Sequence, residues 1–452
     1  MAGAEAVKAA GKKYLPSLNS QATADYNRYK ERATFLGATG RTLAAFTGLL
    51  MRKTPDMETE AVTDIIGDID ARGSTLNDYI RAALREAGST GRAGTLIDWT
   101  TEEGGRPYFS FYLAEDIVNW HVDRIDGRNE LTLLVLRERG HRLNEDTFEH
   151  ESIETFRIYR LREAGLEMET IVVVEGFATP ESTDPVLIRR RGEALRFIPF
   201  VFHGLLGNVP ECGPIPMLDL AEINLSHYRT SADLENGRHV AGLPTPWAFG
   251  VDIDQQVLTI GTTEAWTSSN EKASCGYMEF TGAGLSELRL AIIEKQEQMA
   301  TLGARLLQQE KAAAEAYQTV RIRHDAEQSV LVNVAESTSA SISIALQIAA
   351  WWMGAAAVPE DLAETTFLVL STDFSATPIA PDQLAALVAG YQTGTISWPT
   401  LYYQLQQGEL YPDGWTQEDE EAALSTARVL TPPVPTTVPD PVPEPAEDPV
   451  AA

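Results

Sequence analysis

The sequence predicts an α+β protein, and three stretches carry that expectation. Residues 1–87 repeat apolar side chains at helical spacing. Residues 96–202 break into short runs of β-branched and aromatic residues. Residues 216–354 return to helix around a small β-rich insert.

The third stretch organises the rest. Its first helix opens at Pro216, stops near Gly237, and sets Leu218, Ala221, Leu225, Tyr228 and Ala232 along one stripe. Its second repeats the pattern at Leu285, Leu288, Ile292, Met299, Leu302 and Leu306. Residues 238–282 lie between them, mixing Pro, Gly and Trp with β-branched residues. This pattern predicts a two-helix stalk with a small module at its tip. Such a hairpin does not bury both its sides alone, so it needs neighbours.

Taken from the start, residues 23–52 read as a helix carrying Tyr26, Tyr29, Phe35, Leu43, Phe46 and Leu50, closed by Pro55. Residues 75–86 read as another, ending at Gly88. GSTGRAGT (88–95) lacks the Gly-Lys-Ser/Thr ending of a phosphate loop and reads as a plain connection. The strand candidates are LIDWT (96–100), PYFSFYL (107–113), ELTLLVLRERG (130–140), SIETFRIYRL (152–161), METIVVVEGF (168–177) and LRFIPFVFHG (195–204). RLNEDTFEHESIE (142–154) is acidic and turn-like. A sheet packed on the N-terminal helices follows as the expected body.

After the stalk, 318–354 reads as one helix on the order of 50 Å long. Its stripe is Leu331, Val334, Thr338, Ile342, Ala345, Ala349 and Trp352, and Ser337, Ser339, Ser341 and Ser343 are small enough for close packing. Three short helices are expected within 381–430. The final 22 residues, 431–452, hold 8 prolines with acids and read as an extended tail.

The 452 residues suggest two or three domains, and 44% hydrophobic content supplies sizeable cores. Cys212 and Cys275 match no metal spacing and no disulfide framework, so a reducing compartment is expected. The N-terminus lacks the apolar core of a signal peptide. The most apolar run, 344–358, is shorter than the ~20 residues that span a bilayer. Net charge is −29. Residues 355–452 hold 15 acids against Arg428 alone, so about half the excess sits there. This balance argues against tight nucleic-acid or anionic-membrane binding, and suits a surface that repels a polyanion.

Catalytic motifs are missing from the sequence. The seven histidines form no HExxH pair, and His141 with His150 falls in a polar loop. There is no GxSxG elbow and no Walker lysine. Carboxylate pairs such as Glu102–Glu103 and Glu115–Asp116 are the ordinary product of an acidic composition. No enzyme activity, cofactor or metal is expected.

Four stretches, in this order, resemble the portal proteins of tailed bacteriophages, the rings at one capsid vertex through which DNA passes. They are RTLAAFTGLLMRKTP (41–55), RPYFSFYLAEDIVNW (106–120), IPMLDLAEINLSHYRTSADLENGRHVAGLPTPWAFGVD (215–252) and GYMEFTGAGLSELRLAIIEKQEQMATLGARLL (276–307). The resemblance covers about 25–430 and rests on the combination, since portals have no invariant signature. It implies a wing (1–215 with the long helix and its connection, 318–375), stem helices 216–236 and 284–307, and a clip at 237–283. It further implies a tunnel loop (308–317) and a crown (376–430); the tail, 431–452, has no counterpart. It also implies a ring of about twelve copies in the virion, assembled in the host cytoplasm. The implied partners are a packaging ATPase (terminase), head–tail adaptor and tail proteins, capsid and scaffold proteins, and double-stranded DNA passing through without sequence reading. No membrane is involved.

On that basis the polar face of the first stem helix supplies candidate channel residues: Asp219, Glu222 and, further round, Asp233 and Glu235. Its apolar stripe is expected to pack on the neighbouring helix. The plainer alternative has these carboxylates facing solvent or paired with Arg229. Tunnel-loop candidates are Gln308, Gln309, Glu310 and Lys311, the lysine as a transient phosphate contact. Two other readings remain open: another ring-forming adaptor or scaffold, and a hydrolase with an acidic, non-motif site.

Overall fold

The computed structural model describes residues 3–18, 21–100, 105–125, 127–143, 148–174, 181–243, 245–250, 270–278, 283–307, 317–372, 374, 381–408, 410–411 and 415–426. In chain order the helices are α1 (Gly3–Ala9), α2 (Thr23–Arg32), α3 (Ala38–Leu50), α4 (Leu76–Thr90), α5 (Leu218–Gly242), α6 (Ala283–Leu307), α7 (Tyr317–Met353), α8 (Pro381–Gln392), α9 (Trp398–Gln407) and α10 (Gln417–Thr426). The strands run β1 (Asp56–Glu58), β2 (Ala93–Trp99), β3 (Pro107–Leu113), β4 (Ile117–Ile125), β5 (Arg128–Leu143), β6 (His150–Arg162), β7 (Gly165–Val174) and β8 (Glu181–Ser182). They continue with β9 (Val186–Leu187), β10 (Arg189–Arg190), β11 (Glu193–Ala194), β12 (Phe200–His203), β13 (Thr245–Phe249), β14 (Ser274–Met278) and β15 (Phe367–Val369). The chain divides into two compact units, Met1–Ser375 and Ala376–Ala452.

The expected helix over 23–52 is two helices. The chain leaves α2 at Ala33 in an extended conformation and re-enters helix after Gly37. In the gap, the Thr34 amide donates to Ser231 Oγ at 2.9 Å and Phe35 packs edge-on to Tyr228, so contacts with α5 replace helical bonds. Helix α4 shows both ends set by sequence: Thr75 Oγ1 accepts from the Asp78 amide, and Gly91 closes the helix at φ 84°. It therefore runs past Gly88, where a Cβ would meet Leu43 Cδ1 at 2.7 Å. Gly88 lets α3 approach and does not end the helix.

Strands β12, β2 and β3 form one antiparallel sheet, and β4 to β8 another, with β9 also on β7. Strand β4 was hidden in the sequence because, apart from the buried Ile117 and half-buried Trp120, this edge strand is exposed on both faces, so its residues do not alternate. The acidic segment 142–154 is shorter as a turn than its composition suggests, since β5 reaches Leu143 and β6 begins at His150. His141 and His150 accordingly sit on adjacent strands with ring centroids 6.2 Å apart.

Helix α7 lies along the core of the first unit, and every residue of its expected stripe is buried. Its serines bond rather than merely make room. Ser343 Oγ accepts from the Leu368 amide and donates to the Leu368 carbonyl, Ser339 Oγ accepts from the Leu370 amide, and Gln347 donates to the Thr366 carbonyl. One helix face thus satisfies a short strand that pairs with β1 on its other side. On another face, a buried chain of bonds runs Tyr79 Oη–Thr95 Oγ1–His203–Ser341 Oγ, tying α4, β2, β12 and α7 together. Burial pulls the His203 imidazole down to about 4, so it is neutral.

In the second unit, Tyr402 donates to the Trp415 carbonyl and stacks on Tyr411. Thr416 and Asp419 bond each other's backbone amides, a reciprocal cap that starts α10.

Candidate functional site

Helices α5 and α6 are the stalk foreseen in the sequence. Gly237 faces Leu285 at one end and Ser226 faces Lys295 further along, so the helices run antiparallel. A Cβ at Gly237 would meet Leu285 Cδ2 at 2.6 Å. The helix passes through Gly237 to Gly242, because this glycine provides a close helix crossing and no stop.

The face that α5 turns to α6 is polar, which corrects the expected packing of its apolar stripe. Lys295 Nζ donates to Thr230 Oγ1 and, at 3.5 Å, to the Ser226 carbonyl. Among the described residues no carboxylate lies within ion-pair distance of this ammonium. Gln296 Nε2 is 3.2 Å from His227 Nε2. Burial, then the nearby Lys295 charge, push the His227 imidazole below its ordinary pKa. Asn224 Oδ1, His227 Nδ1 and Tyr228 Oη are buried without a protein partner.

The apolar stripe serves the N-terminal arm instead. Tyr228 and Ala232 form a small core with Val7, Leu15, Tyr26, Tyr29 and Ala33, and Leu225 packs against it. Leu218, first on the expected stripe, is 50% exposed while Leu220 is buried. On α6, Leu285, Leu288, Ile292 and Leu302 of the expected stripe are half-buried and Met299 is buried, while the side chain of Leu306 lies outside the described residues. Leu290 and Ile293 on another face are exposed.

The four carboxylates divide by environment. Asp219 and Glu222 are exposed. Asp233 accepts from Tyr29 Oη at 2.6 Å, which adds to burial in driving the tyrosine pKa upward. Glu235 pairs with Arg238 one turn on. Arg229 is not their partner and donates to the Tyr14 carbonyl. Gln308, Gln309, Glu310 and Lys311 lie outside the described residues. At the tip, β13 and β14 pair antiparallel with Trp247 packed over Gly276, where a Cβ would meet the indole at 3.0 Å.

Elsewhere, Asp116 is paired with Arg137 and Arg139, a structural use of the acid pair Glu115–Asp116; Glu102 and Glu103 lie outside the described residues. Among the described residues no group of His, Cys, Asp and Glu is placed to hold a metal ion. No described helix is long and apolar enough to cross a membrane. Cys212 and Cys275 are free thiols.

Lys295 and His227 leave no signal in the sequence, since a single lysine and histidine on an amphipathic helix look like surface residues. Arg92 leaves none either, yet its guanidinium is buried, bonded to the carbonyls of Pro210, Ala114 and Ile117, and stacked on Trp120.

Residues 216–353 match the family model DUF4055, described as a domain of unknown function. The match begins just before α5 and ends with the last residue of α7, so it encloses the hairpin, its tip and the long helix. No curated protein matches the chain. Among solved structures, a chain from the virion of a native gene transfer agent particle is 12% identical, with 87% of this chain and 95% of that chain covered and a TM-score of 0.38. A chain from the neck of the empty particle, computed with C6 symmetry, is also 12% identical, with coverage of 83% and 91% and a TM-score of 0.39. A chain from the neck of the native particle, computed with C12 symmetry, is 11% identical, with coverage of 82% and 89% and a TM-score of 0.35. Likeness at this level assigns neither a fold detail nor a role.

Proposed function

We propose that this chain is a portal subunit, a ring-forming head-to-tail connector at one vertex of a phage-like particle. The observation that carries the reading is the α5–α6 hairpin. The N-terminal arm covers one side of α5, yet the hairpin leaves Leu218, Val240, Leu243, Leu290 and Ile293 exposed. Closing copies into a ring buries two different faces of each subunit, which is what such a hairpin lacks in isolation. The portal resemblance of 215–252 and 276–307 falls on these two helices and their tip. In this reading about twelve copies surround duplex DNA, a separate packaging ATPase supplies the work, and adaptor, capsid and scaffold proteins dock outside. The chain itself performs no catalysis.

Within the ring, Asp219 and Glu222 are the carboxylates free to face the channel, since Asp233 and Glu235 already have partners. Their role is to weaken adhesion of phosphate, over a screening length of about 8 Å at physiological salt. Asp219→Lys with Glu222→Lys should leave rings assembled and slow DNA packaging, less so as salt rises. Electron micrographs of the purified chain test the parent reading. Rings of about twelve copies with a central hole support it, and compact particles without a hole reject it.

A further inference from the structure

Most arginines with charged partners in the first unit are matched to carboxylates: Arg106 with Asp68, Arg137 and Arg139 with Asp116, Arg157 with Asp98 and Glu138, Arg160 with Glu169. Arg189, Arg190 and Arg191 are the contrast. They are consecutive on the β10–β11 hairpin, in a chain with 65 acids, and no carboxylate lies within ion-pair distance of any of them among the described residues. All three line an open pocket of about 520 Å³, with Trp99 and Trp352 among its other walls. That size is within the ~300–1,000 Å³ typical of ligand sites.

Part of the arrangement is structural. Arg191 reaches the Met353 carbonyl and Arg190 the Ala356 carbonyl, each at 3.4 Å, and Arg190 stacks over Trp351, so both close the carboxyl end of α7. Arg189 donates only to the Gly192 carbonyl. These bonds use one N–H of the five that each guanidinium carries. Two further donors at the same pocket, Arg190 Nε and Trp352 Nε1, have no protein acceptor, and Trp352 is only 8% exposed. The pocket therefore holds an excess of positive charge and unused donors beside flat apolar rings. Glu193, across the β10–β11 hairpin from Arg190, offsets part of this charge, while burial and the neighbouring Arg191 hold the Arg190 pKa below its ordinary value.

We infer that this pocket binds an acidic peptide segment of another protein chain, with carboxylates on the arginines and an apolar side chain against Trp99 and Trp352. A peptide fits better than nucleic acid for two reasons. Asp98 in the wall already accepts from Arg157, and the Met353 and Ala356 carbonyls each take one arginine N–H, but these oxygens keep lone pairs that a peptide N–H can use and a phosphate backbone, which has no donor, cannot. A chain of net charge −29 also repels an extended polyanion more than a short acidic segment.

The test uses the full chain and a fluorescent dodecapeptide alternating Glu and Leu. Binding is expected to weaken as salt rises toward about 0.15 M. Arg189→Glu, at an exposed side chain, should cut affinity about tenfold or more with the Tm unchanged. Arg191→Gln should give a smaller loss. Equal binding of the Gln-for-Glu peptide, tighter binding of a duplex oligonucleotide through the same arginines, or no peptide binding would each overturn the assignment. None of these results bears on ring formation.

Discussion

Helix α7 and the α5–α6 hairpin are long helical elements of one chain, yet they are finished to different degrees. From Leu331 to Trp352, α7 buries its stripe among sheets and helices, and its serines and Gln347 satisfy the backbone of 366–370. The hairpin joins its helices through Lys295, Thr230, His227 and Gln296, leaves three buried polar atoms of α5 without partners, and exposes leucines and isoleucine. Such a polar seam adds little net stability, because its groups give up water to make those bonds. Both regions keep unpartnered buried atoms, Trp352 Nε1 at the end of α7 among them, but the α7 stripe is covered within one chain, whereas the exposed apolar residues of the hairpin are left for the neighbours proposed above.

The largest expected effect strikes the body. Ile342 is fully buried, and Ile342→Ala should cost about 2–5 kcal/mol, read as a fall in denaturant midpoint. A comparably small loss would mean α7 is looser than its burial implies.

Acid should act on the same region. His203 is neutral when folded, with a pKa of about 4, and takes a proton near 6.5 when unfolded. Between those values the unfolded chain binds more protons, so stability falls as pH drops below about 6.5 and stops falling near 4. The total is on the order of 3 kcal/mol. In His203→Gln this portion of the pH profile should flatten, and an unchanged profile would place the acid sensitivity elsewhere.

A smaller effect is expected where the hairpin crosses. Gly237→Val should cost about 1–3 kcal/mol by pushing on Leu285, and Leu285→Ala in the same chain should recover part of it. Absence of any recovery would argue against direct contact.

These differences explain what the sequence reveals. The α7 stripe was legible because its partners are apolar, and apolar burial leaves a periodic trace. The buried face of α5 was not, since Asn224, His227, Thr230 and Ser231 sit inside it while Leu218 sits outside. Gly88 and Gly237 look like helix stops in sequence, and only the approach of Leu43 and Leu285 distinguishes a glycine needed for space from one needed for its backbone. Strand β4 left no alternation because, apart from Ile117 and Trp120, neither of its faces is covered. Arg189 to Arg191 resemble any solvated turn until Trp99 and Trp352 are brought beside them.

The smallest effect on folding should come with the largest on assembly. Leu290 and Ile293 are exposed on α6, so Leu290→Asp with Ile293→Asp should leave the unfolding midpoint within about 0.5 kcal/mol of the parent. Native mass spectrometry of the two proteins at equal concentration is the direct measurement. The parent should appear as rings of about twelve copies and the double variant as folded monomers or small oligomers. A parent that stays monomeric at every concentration, or a variant that forms the same rings, would contradict the claim that this hairpin is completed by its neighbours.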